Sequence, residues 1–140
     1  MDGKKEFEKI MSKTERIALA SSVNDMPNVR IVNFVYLTND KVLHFLSDKG
    51  DPKEKEFAKN SNVAFITIPS KGLAHVRVHN ATVKKSKKSI ADVQDEFIKK
   101  MPWYKENILE HNGKNMVLYE IHFSKATVLA GPDKFAQIDL

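Results

Sequence analysis

The chain has 140 residues, 41% of them hydrophobic, and a formal net charge of +5. This size predicts one domain over residues 1–140, and the lack of cysteine excludes disulfides, thiolate metal sites and cysteine nucleophiles. No apolar run reaches the roughly 20 residues that cross a bilayer, so we expect a cytoplasmic protein that does not bind membranes. The mild positive charge favours a phosphorylated small molecule as ligand and permits nucleic acid without requiring it.

Apolar periodicity and turn signals predict the order of helices and strands along the chain. In chain order they indicate a helix at 3–13, strands at 16–23, 29–37 and 42–47, a helix at 52–60, strands at 63–68 and 73–85, helices at 89–101 and 102–111, a strand at 115–131 that bends near Ser124, and a peripheral tail. Because most of the strands follow one another through short turns, we expect antiparallel pairing. The pattern predicts a mainly β fold, a closed or nearly closed barrel of about six strands with helices at its corners.

The segment SDKGDPKEKEFAKN, which begins at Ser47, carries the first candidate site. Asp51 suits an N-cap and Pro52 the first helical position, which places Lys53 in the first turn of the predicted helix. A helix N-terminus attracts anions through its free N–H groups and its dipole. Together with the Ser47 hydroxyl and the Arg30 guanidinium, it would bind a phosphomonoester. The alternative is a solvated helix whose lysines and glutamates serve solubility.

The other polar motifs indicate no particular reaction. The stretch HVRVH places His75, Arg77 and His79 on one face of a strand, but positions i and i+4 lie roughly 13 Å apart there. That distance is too long for one metal ion, so we expect no metal site and a face that meets solvent, a ligand or a partner chain. The lysine cluster KKSKKS at 84–89 lacks interleaved aromatic residues and favours a solvated corner over nucleic-acid binding. Hydrolase triads, dinucleotide fingerprints and P-loops are missing from the sequence, and catalytic residues stay unassigned.

Taken in order, several of these motifs resemble those of FMN-binding split-barrel proteins related to pyridoxamine 5′-phosphate oxidase. The similar segments are PNVRIVNFVYLTNDKVLHFLSDKGDPKEKEFAKNSNVAFITI and HVRVHNATV, within residues 14–84. The family pattern has an Arg-x-Val strand, a strand ending in Ser or Thr, a Lys-rich helix ending near Asn, and a later strand with a Val-Arg pair. The matching residues here are Arg30-Ile31-Val32, Ser47, Lys53 with Lys55, Asn60, and Val76-Arg77. The resemblance implies a six-stranded antiparallel split β-barrel of Greek-key type that binds FMN.

The resemblance implies a set of cofactor-binding residues: Arg30, Ile31, Val32, Asn33, Ser47, Lys53 and His75. In this set Arg30 and Lys53 would bind the FMN phosphate, with Ser47 as a hydroxyl partner. The backbone at Val32 and Asn33 would lie along the edge of the flavin ring. The implied function is that of an FMN-dependent oxidoreductase in which the flavin carries the electrons.

The resemblance also implies a homodimer, with each flavin in a cleft between the two subunits. Trp103 or Tyr104 would then approach the flavin of the partner subunit. His75, if it faces the flavin, would be the candidate base, because histidine titrates near neutral pH. The substrate and the electron donor stay open.

Four departures from the family pattern argue against oxidation of pyridoxamine phosphate itself. Val35 stands where the oxidases carry a substrate-contacting lysine, and Pro52 where an arginine usually precedes the helix lysine. His75 replaces a glutamine, and the C-terminal segment with Arg-x-His-type substrate contacts has no counterpart after Gly131. A substrate phosphate would lose its main anchors, whereas FMN binding would survive. The alternatives are a deazaflavin or haem in the same fold, or a non-enzymatic module that binds flavin or nucleic acid.

Overall fold

The computed structural model describes all 140 residues. Its helices are α1 (Gly3–Lys13), α2 (Pro52–Lys59) and α3 (Ile90–Lys100), followed by a π-helical turn (Lys105–Glu110) and a 3-10 turn (Gly113–Asn115). Its strands are β1 (Arg16–Val23), β2 (Met26–Asn33), β3 (Val35–Leu37), β4 (Val42–Asp48), β5 (Asn62–Thr67), β6 (His75–Lys85), β7 (Met116–His122), β8 (Lys125–Gly131) and β9 (Lys134–Asp139). No helix combines the length and the apolar character needed to cross a membrane.

The sheet closes on itself through one bent strand. All pairings are antiparallel, and the strands follow the order β2-β1-β5-β6-β7-β4-β3. The first and last strands of this path, β2 and β3, are neighbours in sequence and only Phe34 separates them. Counted as one bent strand, they complete a ring of six strands around the core. The predicted mainly β fold, an antiparallel barrel with helices at its corners, is confirmed.

Two strands, β8 and β9, extend the sheet beyond this ring. The predicted strand 115–131 divides near Ser124 into β7 and β8, because the two halves pair with different parts of β6. β7 pairs with Thr82–Lys85 and β8 with His75–Arg77. The tail is not peripheral, as the sequence had suggested, but forms β9, which pairs with β8 and buries Ile138.

Alternating side chains divide the core into two parts. Inward-facing residues of the barrel pack with α1 and α2 in a cluster of 21 buried residues that includes Phe7, Phe45 and Tyr119. The rings of Phe45 and Tyr119 stack 5.3 Å apart, and Phe57 of α2 meets Tyr119 edge-on at 5.4 Å. Outward-facing residues of β3, β4 and β7 form a second cluster of 7 buried residues with α3 and the segment after it. Phe57 therefore anchors α2 to the barrel and fixes the position of its N-terminus.

Candidate functional site

The barrel wall opens between β2 and β4. β3 pairs with β4, with Val35 opposite His44. Continuing that register past Phe34 would place Val32 opposite Ser47, but no ladder forms there and β2 pairs only with β1. One edge of β2 therefore keeps backbone N–H and C=O groups without a strand partner. We call this opening, between the free edge of β2 and the end of β4, the split.

α2 begins at the rim of the split, where the sequence predicts its start. The Asp51 side chain caps the helix by accepting the Lys53 N–H at 2.9 Å, and Pro52 occupies the start of the helix. Gly50 takes a positive φ of 81°, a conformation that glycine adopts without a steric penalty. Ser47, which is 3% exposed, lies one tight turn earlier, near the end of β4. The chain thus brings a hydroxyl, a lysine and a helix N-terminus to one place.

Both candidate cations are ion-paired with carboxylates of α2 or its cap. Arg30 on β2 reaches α2, and its Nη2 lies 2.6 Å from Oε2 of Glu56. Lys53 Nζ lies 2.9 Å from Oδ2 of Asp51. Glu56 also accepts a hydrogen bond from the Ser21 hydroxyl on β1 at 3.0 Å. These contacts tie α2 to β1 and β2, so Arg30 supports the fold in addition to offering charge to a ligand.

The two carboxylates are held in their ionised form. Burial acts to raise the pKa of Glu56, but hydrogen bonds from Arg30 and Ser21 outweigh it and hold that pKa below its usual value. Burial also acts to raise the pKa of Asp51, and the backbone N–H and ammonium of Lys53 outweigh it. The positive charge of Arg30 lowers the pKa of Asp51 as well, so both ion pairs belong to one electrostatic cluster.

The paired cations keep donors that an anion can use. A guanidinium carries five N–H donors and an ammonium three. Arg30 uses one donor for Glu56 and another for Ser21 Oγ at 3.4 Å. Lys53 Nζ has Asp51 as its single ion-pair partner. An anion at the split would therefore add to existing ion pairs without having to displace them.

Tyr119 provides a buried hydroxyl beside α2 that sequence reasoning missed. Tyr119 on β7 lies opposite Phe45 on β4, so it shares the inward face with Ser47. It is 1% exposed, and its hydroxyl has no hydrogen-bond partner. Its ring meets that of Phe57 in α2 edge-on at 5.4 Å. Burial and the nearby negative charges of Glu54 and Asp51 raise its pKa to about 12. The only sequence signal is a tyrosine at an inward position of a strand that is otherwise apolar there.

The residues predicted to line the flavin edge lie at the end of β2 beside the split. Ile31 projects outward and is 60% exposed, whereas Val32 projects into the barrel core. The side-chain amide of Asn33 donates to the Glu15 carbonyl oxygen at 3.3 Å. Because this side chain is occupied and Val32 is buried, this end of β2 presents mainly backbone groups to a ligand.

His75 does not join Arg30 within one chain. β6 lies three strands from β2 in the sheet order, roughly 14 Å at the usual strand spacing. Val76 and Val78 point into the core, so His75 points to the outer face, whereas Arg30 lies on the inner face. The Nδ1 atom of His75 lies 2.6 Å from the Leu73 carbonyl oxygen. A role for His75 at the flavin therefore requires a second subunit.

Trp103 and Tyr104 lie in different surroundings. Tyr104 is buried, and its ring stacks on that of Phe97 at 5.1 Å, so it belongs to the second core cluster. Trp103 is exposed, and its Nε1 donates to Oε1 of Glu15 at 3.2 Å. Of the two aromatic residues, Trp103 is the one that can meet another subunit.

Two of the histidines share one carboxylate partner. His44 and His122 approach the same carboxylate, that of Glu120, at 3.8 and 2.7 Å. No group of three or more His, Asp or Glu side chains in the structure is arranged to hold a metal ion. The contact of His44 joins β4 to β7, whereas that of His122 lies within β7.

A comparison of the whole chain with known families decides its relationship. A sequence model of the pyridoxamine 5′-phosphate oxidase-like family matches residues 10–133, which span every strand except β9. The chain belongs to the pyridoxamine 5′-phosphate oxidase-like family. The resemblance that the motifs indicate is thereby confirmed. A search of curated protein sequences finds no match.

Solved structures share the oxidase-like fold at low sequence identity. General Stress Protein 26 from Bacillus anthracis has a TM-score of 0.71 at 18% identity, covering 99% of this chain and 100% of that one. A heme binding protein from Mycobacterium smegmatis has a TM-score of 0.77 at 10% identity, covering 99% and 58%. A FAD-binding protein from Mesorhizobium loti has a TM-score of 0.63 at 15% identity, covering 88% and 89%. At these identities the likeness shows the fold alone, and the names of the last two proteins point to different ligands, haem and FAD.

Proposed function

We propose that this member of the pyridoxamine 5′-phosphate oxidase-like family binds FMN at the split and acts as a flavin-dependent oxidoreductase. One observation carries the proposal: the free edge of β2 lies beside the end of β4 and the start of α2, with Arg30, Ser47 and Lys53 around them. A phosphomonoester needs several donors at one point, and a flavin ring needs backbone donors and acceptors beside its polar edge. The split offers both.

The chain's own residues would hold the phosphate end of the cofactor. Arg30 and Lys53 would donate charge-assisted hydrogen bonds, and the hydroxyls of Ser47 and Tyr119 would donate neutral ones. Tyr119 supports the fit, because a phosphate oxygen would supply the partner that its buried hydroxyl lacks. When bound, the flavin supplies the electron or hydride transfer, and the protein holds and orients it.

The proposed substrate differs from pyridoxamine 5′-phosphate. Val35, at the position of the substrate-contacting lysine, is buried among the residues that pack under α3. Pro52 occupies the start of α2, where an arginine would add charge. Val35 thus offers no cation to a substrate phosphate, whereas Pro52 only removes one charge from the site proposed for the FMN phosphate.

We also propose a homodimer that forms through the outer face of β2, β1 and β5. A row across this face runs from Ile31 through Ala18 to Ile66. Val29 and Ile31 are 65% and 60% exposed, and adjacent exposed apolar side chains favour burial against another chain. His75 lies on the outer face of the neighbouring strand β6, so the dimer could carry it to the flavin of the other subunit.

Titration of the purified protein with FMN tests the cofactor. The expected result is a yellow complex that binds FMN more tightly than riboflavin, because riboflavin has the same ring without the phosphate. If the protein does not bind FMN but gains a Soret band with haem, the cofactor is haem. If it binds a deazaflavin instead of FMN, the cofactor is a deazaflavin. Oligonucleotide binding that falls with salt, without any flavin binding, would favour the non-enzymatic module.

Changing Ile31 to Asp tests the proposed dimer face. We expect light scattering to show half the mass of the unmodified protein, because a buried unpaired carboxylate opposes association. FMN affinity should fall with it, because the proposed flavin cleft lies between subunits. Phe135→Asp is the matched control, because Phe135 is an exposed apolar residue of β9, which pairs with β8 and not with β2, β1 or β5. A monomeric unmodified protein, or equal dissociation of both variants, would refute this interface.

A further inference from the structure

A cavity lies away from the split, where the sheet branches. β8 pairs with β6 up to Arg77, and β7 pairs with β6 from Thr82 onward. Between these points the edge of β6 has no strand partner, and β7 and β8 diverge from it. The resulting cavity has a volume of about 350 Å³. Sites for small molecules occupy roughly 300–1,000 Å³, so this one suits a compact ligand.

The walls of the cavity are polar and its floor is apolar. Eight of the ten lining residues are polar, and the remaining two, Ala126 and Ile138, are buried side chains of the barrel core. Side-chain amides come from Asn80 and Gln137, and hydroxyl groups come from neighbouring residues of β8 and the turn before it. The unpaired stretch of β6 adds backbone N–H and C=O groups. Such walls favour a ligand with several hydrogen-bonding groups.

The charge of the cavity is positive. Arg77 and His79 line it, and neither forms an ion pair. Lys125 lies 3.6 Å from Asp139, so these two charges largely offset each other. The Arg77 guanidinium therefore keeps a full set of donors for an anion, with the fork geometry that suits a carboxylate or a phosphate.

We propose that this cavity is a second binding site, which takes a small organic anion. Its carboxylate or phosphate binds Arg77 and His79, and its hydroxyl groups bind the amides of Asn80 and Gln137. Within one chain the site is separate from the residues proposed to hold the FMN phosphate, because Arg77 lies on the outer face of the sheet and Arg30 on the inner face, with β1 and β5 between their strands. Arg77 lies opposite Ile66 of β5 and shares its strand face with His75, so the cavity borders the proposed dimer face, and competition with FMN tests whether the two sites are distinct.

Calorimetric titration with citrate and with glucose 6-phosphate tests the site and distinguishes carboxylate from phosphate. We expect at least one probe to bind with a dissociation constant below about 1 mM. Amide NMR shifts should concentrate at residues 77–80 and 124–127. Arg77→Gln should weaken binding at least about tenfold, because it removes charge-assisted hydrogen bonds. Arg77 is exposed, so this variant should unfold at the same temperature as the unmodified protein.

Arg16→Gln is the matched control, since Arg16 is exposed and lies outside the cavity. Its affinity for the probe should stay unchanged. Equal weakening in both variants would show non-specific attraction to positive charge and overturn the proposal. Absence of binding below about 1 mM, or displacement of the probe by FMN, would overturn it as well, because displacement would assign the cavity to the flavin site.

Discussion

Changing Lys53 to Gln should weaken FMN binding at least about tenfold and leave riboflavin binding nearly unchanged. Lys53 lies in the first turn of α2, where its ammonium and the helix N-terminus would act on the same phosphate. A hydrogen bond from a charged donor contributes roughly 1.5–3 kcal/mol. Because the two ligands differ by the phosphate alone, the ratio of their dissociation constants isolates this contact. Flavin fluorescence or absorbance measures both constants.

Arg30→Gln should lower FMN affinity by a similar factor and also destabilise the fold. The carboxylate of Glu56 accepts a hydrogen bond from the Arg30 guanidinium at 2.6 Å, and the substitution leaves this partly buried charge without its partner. The double variant Arg30→Gln with Glu56→Gln removes both charges. We expect it to regain part of the lost stability without regaining FMN affinity, which separates the structural role of Arg30 from its role at the phosphate.

Lys59→Gln is the control for both variants, because Lys59 is exposed in the last turn of α2, at the end opposite to the split. It should bind FMN like the unmodified protein. If Lys59→Gln weakens FMN binding as much as Lys53→Gln, the effect is one of general charge. If Lys53→Gln weakens riboflavin as much as FMN, Lys53 does not contact the phosphate. Either result contradicts the assignment.

Replacing Lys100 by Met should change the pH dependence of stability. Lys100, in the last turn of α3, donates to the carbonyl oxygens of Met11 and Phe34, both at 3.0 Å, and its Nζ lies 3.6 Å from the centre of the Phe34 ring. It thus connects α3 to α1 and to the bend between β2 and β3. Burial lowers its pKa to about 7, although the negative charge of Glu15 opposes this.

The lowered pKa of Lys100 makes the folded state less stable where the amine is charged. Between pH 7 and about 10.4, the unfolded chain keeps the proton that the folded chain has released, so the free energy of unfolding rises with pH. Below pH 7 both states are protonated and the full penalty of burying the charge applies. Relative to Lys100→Met, the unmodified protein should gain roughly 2 kcal/mol from pH 7 to pH 9.

Urea unfolding of both proteins at several pH values in this range measures the difference. Lys99→Met is the control, since Lys99 is the adjacent lysine and is exposed. Its unfolding free energy should follow that of the unmodified protein at every pH. A constant difference between the unmodified protein and Lys100→Met across the range would show that Lys100 keeps an ordinary pKa in the fold.

Local features of the sequence suffice to predict the elements that frame the site. Asp51 and Pro52 set the start of α2 through interactions within a few residues of the chain, and the structure shows the cap as predicted. Alternation of apolar residues likewise identifies most of the barrel strands. These signals are local because capping, turn geometry and strand periodicity depend on neighbours in sequence. Strand β9 was not predicted, because its strand conformation depends on pairing with β8 and not on a local pattern.

The composition of the site depends on contacts between distant parts of the chain. Glu56 pairs with Arg30 across a separation of 26 residues in the chain. Tyr119 of β7 contacts Phe57 of α2, which is also distant from it in sequence. At Phe34 the pairing with β4 ends, so β2 forms no ladder with β4 and the split lies between them. Residue types alone cannot predict which charges meet, because ion pairing and burial follow from strand order and register.

The sequence by itself determined the family, the mainly β barrel and the candidate residues Arg30, Ser47 and Lys53, because their order and local spacing carry that information. Only the tertiary structure decided that His75 lies on the opposite face of the sheet from Arg30, and that both cations already have carboxylate partners. The physical reason is that side-chain direction alternates along each strand. The face that a residue takes in the closed barrel is therefore set by the pairing of all the strands together.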